Sequence, residues 1–192
     1  VNHVAHRFVA VLDANVLYSS LKRNVLLSFA ESGLYRPRWT DEIMNEWRTN
    51  LIAARPDLRE RVGRLVEQMT RAFPEARIDG HEMLVEALVL PDAGDRHVLA
   101  AAVKCGAHVI VTENTKDFPE RVLSSFDIEL QSADEFLLST FELYPGQGEA
   151  AVKRMRKRYK NPPYKAGELL TKLTGEGLVR LASVLRERVD TI

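Results

Sequence analysis

Phe8-Val9-Ala10-Val11-Leu12-Asp13 decides the fold class, because five consecutive apolar residues stop abruptly at an acid. A strand with one wet face alternates apolar and polar residues; an unbroken apolar run is a strand buried on both faces, and such strands belong to parallel sheets. His108-Val109-Ile110-Val111-Thr112 reads the same way, and Tyr35 to Trp39, Val85 to Leu90 and Ile128 to Gln131 offer shorter strands. Helical spacing fills the intervals. Val16 to Ser32 predicts a helix broken near Lys22 and stopped by Gly33. Thr40 is an N-cap, with Asp41 and Glu42 in the first turn behind it. Pro56 opens a helix over Asp57 to about Ala72, Arg96 to Cys105 ends at Gly106, and Asp117-Phe118-Pro119 starts another with Pro near its first position. Ser132-Ala133-Asp134-Glu135 has the spacing of a capping box before the apolar run Phe136 to Phe141. Strands alternating with helices predict an α/β three-layer sandwich around a mostly parallel sheet, ending near Leu143.

Pro145-Gly146-Gln147-Gly148 reads as a boundary. Beyond it lie a basic helix, Glu149 to Lys160, a breaker at Asn161-Pro162-Pro163, and two short amphipathic helices around Gly175-Glu176-Gly177. The expected division is a domain over residues 1–144 and a small, basic, helical C-terminal extension over 149–192. The 192 residues balance 27 basic against 27 acidic side chains. That neutrality hides an asymmetry: residues 151–192 carry eleven Lys or Arg and four Asp or Glu, a net of +7, so residues 1–150 carry −7. A basic tail on an acidic body either docks internally or meets an external polyanion.

With 45% hydrophobic and 28% charged residues, the composition excludes collagen-like, disordered and membrane classes. The longest apolar run, Val98 to Val103, falls far short of the ~20 residues a bilayer needs. The N-terminal residues show no apolar leader pattern, so a cytoplasmic location is expected. The lone Cys105 reads as a small buried hydrophobe.

Ligands of open parallel sheets bind outside the carboxyl ends of the strands, where loops and helix N-termini converge. Asp13 follows the first strand directly, Asp95 begins the helix that precedes the second buried strand, and Asp117 lies five residues beyond that strand. Glu46 joins them from a helix on which Ile43, Glu46, Trp47 and Asn50 share a face, so it is expected to point with the packed residues. Asn15, Asp92, Thr112 and Asn114 stand ready as a supporting shell. Singly, each acid has a structural explanation as a cap or a helix-terminus charge. Brought together they would repel unless a cation compensated. Oxygen ligands without a Cys/His cluster point to Mg²⁺ or Mn²⁺ rather than zinc. His3 and His6 make a poor zinc pair, and His97 and His108 are expected to pack or face solvent. No phosphate-binding glycine loop, nucleophile elbow or Cys–His pair is present. Carboxylates holding Mg²⁺ chiefly serve phosphoryl chemistry, and phosphodiester hydrolysis fits best.

These residues resemble a known family. Val9-Ala10-Val11-Leu12-Asp13-Ala14-Asn15, the helical Glu46, Asp92-Ala93-Gly94-Asp95-Arg96-His97-Val98-Leu99-Ala100-Ala101-Ala102 and Val111-Thr112-Glu113-Asn114-Thr115-Lys116-Asp117-Phe118 together look like a PIN-domain ribonuclease, over about residues 7–143. Within that superfamily the chain is similar to the VapC toxins of type II toxin–antitoxin modules. The resemblance implies a metal-dependent endoribonuclease with Asp13, Glu46, Asp95 and Asp117 as its acidic quartet and Asn114 beside them. It also implies products with 5′-phosphate and 3′-hydroxyl ends, a cognate antitoxin that blocks the site, and dimerisation. The departure is the extension, since a minimal PIN toxin would stop near the helix that begins at Ser132. There Arg154, Lys157, Arg158 and Lys160, with Tyr159 and Tyr164 nearby, could contact RNA phosphates and stack bases, or could dock on the acidic body.

Two other readings stand beside this one. A phosphatase with Asp13 as covalent nucleophile would need an acid two positions on, where the chain has Asn15. A binding module would hold RNA or a protein through the basic tail without chemistry, against which the complete set of acids counts.

Overall fold

The computed structural model describes residues 8–192. His3, His6 and the rest of the N-terminal stretch lie outside the described residues. Four parallel strands form one sheet: β1 (Val9–Leu12), β2 (Arg36–Arg38), β3 (Val109–Val111) and β4 (Glu129–Gln131), in the order β2-β1-β3-β4. Ala10 is in register with Pro37 on one side and Val109 on the other, and Ile110 with Leu130. The two central strands are those with the unbroken apolar runs: Ala10, Val11, Leu12, Ile110 and Val111 are wholly inaccessible. Pro37, which has no N–H to give, is accommodated on an edge strand.

The first crossover is α1 (Ala14–Tyr18) followed by α2 (Ser20–Glu31). The expected break at Lys22 falls three residues earlier, because Ser19 leaves the helical conformation and its hydroxyl caps the Lys22 N–H. After β2 come α3 (Asp41–Ala54), capped by Thr40 as expected, a 3₁₀ turn at Pro56–Leu58, α4 (Arg59–Ala72), α5 (Glu82–Val85) and, past a 3₁₀ turn at Ala93–Asp95, α6 (Arg96–Cys105). The expected strand over Val85 to Leu90 does not form. Leu88 and Leu90 are buried while Val89 is exposed, so the segment alternates like a strand, but among the described residues no neighbouring strand pairs with it. Gly106 closes α6 in the left-handed conformation. Cys105 is half-buried against the core.

A 3₁₀ turn at Thr115–Asp117 follows β3, so Asp117 lies before α7 (Glu120–Leu123) rather than in its first turn, and Pro119 is the N-cap. Ser132 and Glu135 make the capping box of α8 (Ala133–Leu143), each bonding the other's backbone N–H. Since β1 leads outward to β2 while β2 and β3 lead the other way, right-handed crossovers put α2 on one face of the sheet and α6 and α7 on the other. The packing agrees: α6 lies on β1 and β3, α7 on β4, and α8 joins α2.

Pro145 to Gly148 is not a linker. It is the first turn of α9 (Pro145–Arg158), in which Pro145 takes the first position, where a missing N–H costs nothing. Gly148 is needed for close approach, because a Cβ there would stand 2.5 Å from Cδ2 of Phe141. Then come α10 (Ala166–Gly175), which ends on the first of the expected glycine pair, and α11 (Val179–Arg186), which follows the second. Leu169, Leu170, Leu173, Leu181 and Leu185 are buried in the same continuous core as the sheet. Asp134 of α8 accepts from the Arg180 and Leu181 N–H groups at 2.8 and 3.0 Å, capping α11 from outside its own helix.

Candidate active site

Outside the carboxyl end of the sheet, the chain leaves β1 towards one face and β3 towards the other, which opens a crevice between the two departing segments. Asp13 stands at its floor, 4% exposed, and serves as N-cap of α1. Its Oδ1 accepts from the Ala14 N–H at 2.6 Å, and its Oδ2 from the Asn15 amide at 2.7 Å and the Thr112 hydroxyl at 2.6 Å. Even so its pKa is raised, because burial outweighs those three donors.

Thr112 is fully used. Its hydroxyl donates to Asp13 and accepts from Asn15 Nδ2 at 2.8 Å and from the Asn114 N–H at 3.0 Å. Asn15 Oδ1 in turn takes the Glu113 N–H. Asn15, where an aspartyl phosphatase would need an acid, is thus a locked amide that ties β1 to the end of β3. Asn114 carries the network onward, its Nδ2 donating to Asp95 Oδ2 at 3.2 Å.

Asp92, Asp95 and Asp117 bring one carboxylate oxygen each to within 4.8 Å of one another. Three local features place them. Asp92 caps the 3₁₀ turn through Oδ1, which takes the Gly94 N–H at 2.7 Å and leaves its second oxygen free. Asp95 holds the N-cap position of α6 without capping it, and Asp117 ends the 3₁₀ turn after β3. The Asp95 carboxyl is pushed up to about 6, first by burial and then by the charges of Asp13, Asp92 and Asp117. An all-oxygen set at this spacing, short of counter-charge, suits a hard divalent cation, whose ligand oxygens lie about 2.0–2.5 Å from the ion. The acidic cluster could hold such an ion.

Glu46 sits apart. It does not point with the packed residues: Ile43, Met44 and Trp47 form the buried stripe of α3, and Glu46 flanks it with its side chain 48% exposed. Burial and the Asp13 charge raise its pKa. His97, expected to pack or face solvent, is buried between this carboxylate and the loop, with Nδ1 2.6 Å from the Gly94 carbonyl and Nε2 3.8 Å from Glu46 Oε2. The Gly94 carbonyl only accepts, so Nδ1 carries the proton. His108 belongs elsewhere, its Nδ1 accepting the Val9 N–H.

The structure therefore joins Asp92, Asp95 and Asp117 directly, links Asp13 to them through Thr112 and Asn114, and leaves Glu46 on the rim. Asp92, expected in a supporting role, is a member of the carboxylate cluster itself. Lys22, whose Nζ donates to Glu113 at 2.6 Å beside the site, and His97 beside Glu46 carry no signal in the sequence, for no spacing rule marks either pairing. Of the four basic extension residues, Arg154 bonds Ser32 Oγ at 2.6 Å and Arg158 pairs with Glu31 at 2.7 Å, so both dock on the body, while Lys157 and Lys160 face solvent. No helix among the described residues is long and apolar enough to cross a membrane.

Residues 9–116 match the family model described as PIN domain, and residues 133–187 match the one described as VapC50 C-terminal domain. A Mycobacterium tuberculosis (strain ATCC 25618 / H37Rv) protein named as a candidate ribonuclease, VapC50, is 41% identical over 92 residues, 48% of this chain and 54% of that protein. The chain thus spans about half the length of the curated relative it matches. No solved structure matches it.

Proposed function

This chain belongs to the PIN-domain family, and on that premise we propose that it is a metal-dependent endoribonuclease that hydrolyses RNA phosphodiester bonds. On this reading it is the toxin of a VapBC-type pair, acting in the cytoplasm, with a cognate antitoxin protein that covers the site and a second copy of itself as further partners. Residues 1–144 carry the chemistry and 149–192 the extension. The observation that carries the reading is the convergence of Asp92, Asp95 and Asp117 within 4.8 Å at the switch point of the sheet.

Asp95 and Asp117, with Asp92, would hold Mg²⁺ or Mn²⁺, and Asp13 would complete the negative field from below. The ion, when bound, supplies acidified water for in-line attack and offsets charge on the phosphate. The protein residues do the rest. Thr112 and Asn15 fix Asp13 and favour its charged form against burial, Asn114 orients Asp95, and Glu46, on the open rim beside His97, would accept a proton from an attacking water.

Purified protein incubated with total bacterial RNA and Mg²⁺ or Mn²⁺ should give discrete cuts with new 5′-phosphate ends, abolished by EDTA and by Asp95→Asn. Cleavage by Asp95→Asn at the wild-type rate, or cleavage indifferent to EDTA, refutes the reading.

A further inference from the structure

Arg23, on α2, is a cation buried without a counter-charge among the described residues. It is 5% exposed. Its Nη1 donates to the Leu17 carbonyl at 2.5 Å, its guanidinium lies 5.0 Å from the centre of the Trp47 ring, and its Nε, wholly buried, has no partner. The ionisable groups that bear on it are the cation of Arg61, which repels it, and the neutral Tyr159 hydroxyl; burial pulls the guanidinium down to about 10. A buried charge is costly unless it is paired, and one carbonyl and one ring face leave most of this guanidinium's donors unused.

The same arginine opens onto a cavity of about 740 Å³ whose wall also contains Arg55, Arg61 and Arg64 but no Asp or Glu. Arg55 is spent on Asp57 at 2.8 Å and Arg64 lies 3.8 Å from Glu60, whereas Arg61 makes no ion pair among the described residues. Asn24, Arg61, Leu65, Gln68 and Tyr159 line this cavity and an adjoining one of about 380 Å³, whose one acid, Glu31, is paired with Arg158 at 2.7 Å, so a continuous groove runs between α2, α4 and α9. The extension supplies one of its walls.

We infer that this groove is a second binding site for single-stranded RNA, with Arg23 and Arg61 clamping a backbone phosphate. The inference rests on the proposed RNA substrate and adds a contact remote from the carboxylates. A guanidinium fork matches two phosphate oxygens. Tyr18, 42% exposed on the same wall, offers a ring face to a base. That ring favours a nucleic acid over an acidic peptide, which has no base to stack. The position also fits: Trp47 follows Glu46 on α3, and Arg55 lies nine residues beyond Glu46, about 14 Å at 1.5 Å per residue. A strand lying across the carboxylate edge reaches the groove within a few nucleotides.

The test is a fluorescence-anisotropy titration of the full chain with a labelled single-stranded oligoribonucleotide in EDTA, across a salt series. Arg61→Gln should weaken binding about fivefold to tenfold and flatten the log–log salt dependence by about 0.7. Arg71→Gln, on the same helix but outside both cavities, should do so far less. Arg23→Met should weaken binding while raising the thermal midpoint of the free protein, since it removes an unpaired buried cation. Loss of binding together with loss of stability in Arg23→Met would assign Arg23 a purely structural role and overturn the proposal. So would unchanged affinity and salt slope in Arg61→Gln, or competition by poly-glutamate as effective as that by unlabelled RNA. Because the titration is done without metal, absent cleavage by the wild type would sink the nuclease reading and leave this one standing.

Discussion

Asp95→Asn is expected to stabilise the metal-free protein while abolishing the stabilisation a divalent ion confers. In the folded chain the Asp95 carboxyl is pushed from 3.8 up to about 6 by burial and by Asp13, Asp92 and Asp117. The native state therefore holds this proton longer than the unfolded chain does. Native stability is favoured below about 4 and declines as pH rises through about 4 to 6, the reverse of a salt-bridged aspartate. About two pH units at about 1.4 kcal/mol each set a ceiling near 3 kcal/mol. Asp95 is only partly buried, and water screening reduces this to about 1–2 kcal/mol. For a chain of this size that corresponds to a rise in thermal midpoint of about 2–8 °C. Asparagine keeps a carbonyl oxygen for the Asn114 amide, so the comparison isolates the charge.

The assay is thermal unfolding of wild type and Asp95→Asn in EDTA at low ionic strength, at pH 7.5 and pH 4.5, then with Mn²⁺ at pH 7.5. In EDTA the variant should melt higher at pH 7.5, and the difference should shrink at pH 4.5, where the wild-type carboxyl is already mostly protonated. With Mn²⁺ only the wild type should gain. A variant that melts lower at pH 7.5 in EDTA, or a gain of equal size at both pH values, would refute the claim that the cluster is held together against its own repulsion.

Thr112→Val keeps the shape but removes the donor to Asp13 and the acceptor for Asn15 and Asn114; urea unfolding should show a loss of about 2–3 kcal/mol. Asn114→Ala removes the donor to Asp95 and should weaken Mn²⁺ binding about tenfold in a calorimetric titration, with little change in fold by circular dichroism. Gly148→Ala drives a methyl into the Phe141 ring and should cost about 1–3 kcal/mol of thermal stability, which a smaller residue at 141 would partly restore.

Both central strands and α6 were legible because their signals are local: an unbroken apolar run means burial on two faces, and Gly106 supplies the left-handed residue that ends the helix. The edge strands β2 and β4 lack that apolar run and form by pairing with the two central strands. Val85 to Leu90 misled because alternation records which side chains are buried, not whether a partner strand is within reach. Pro145 misled because proline breaks a helix interior but begins one freely. At the site, the chain order of the acids sufficed to place Asp13, Asp95 and Asp117 at one edge. The promotion of Asp92 was not readable, since it depends on a 3₁₀ turn that occupies one carboxylate oxygen and leaves the other free. The half-exposure of Glu46 was within reach of helical geometry: it lies about 60° from Ile43 and 100° from Trp47, at the margin of the stripe they define.

The opposed charges of body and extension invite the view that electrostatics docks one on the other, and the contacts argue otherwise. Arg158 with Glu31 and Arg180 with Glu135 are pairs at or near the surface, of the kind that contributes about 0–1 kcal/mol each, and Arg188 with Glu149 lies within the extension itself. The leucines of α10 and α11 are wholly or almost wholly buried, and burying one leucine side chain is worth about 1.5–3 kcal/mol. Apolar burial therefore binds the extension, and the ion pairs fix its orientation. An extension held this way is a continuation of the core, which keeps α9 rigid against α2 and maintains the groove that runs from beneath Tyr159 to the buried Arg23. Lys157 and Lys160 make no ion pair among the described residues and remain at the surface, where they add to the positive field that an approaching RNA strand would meet.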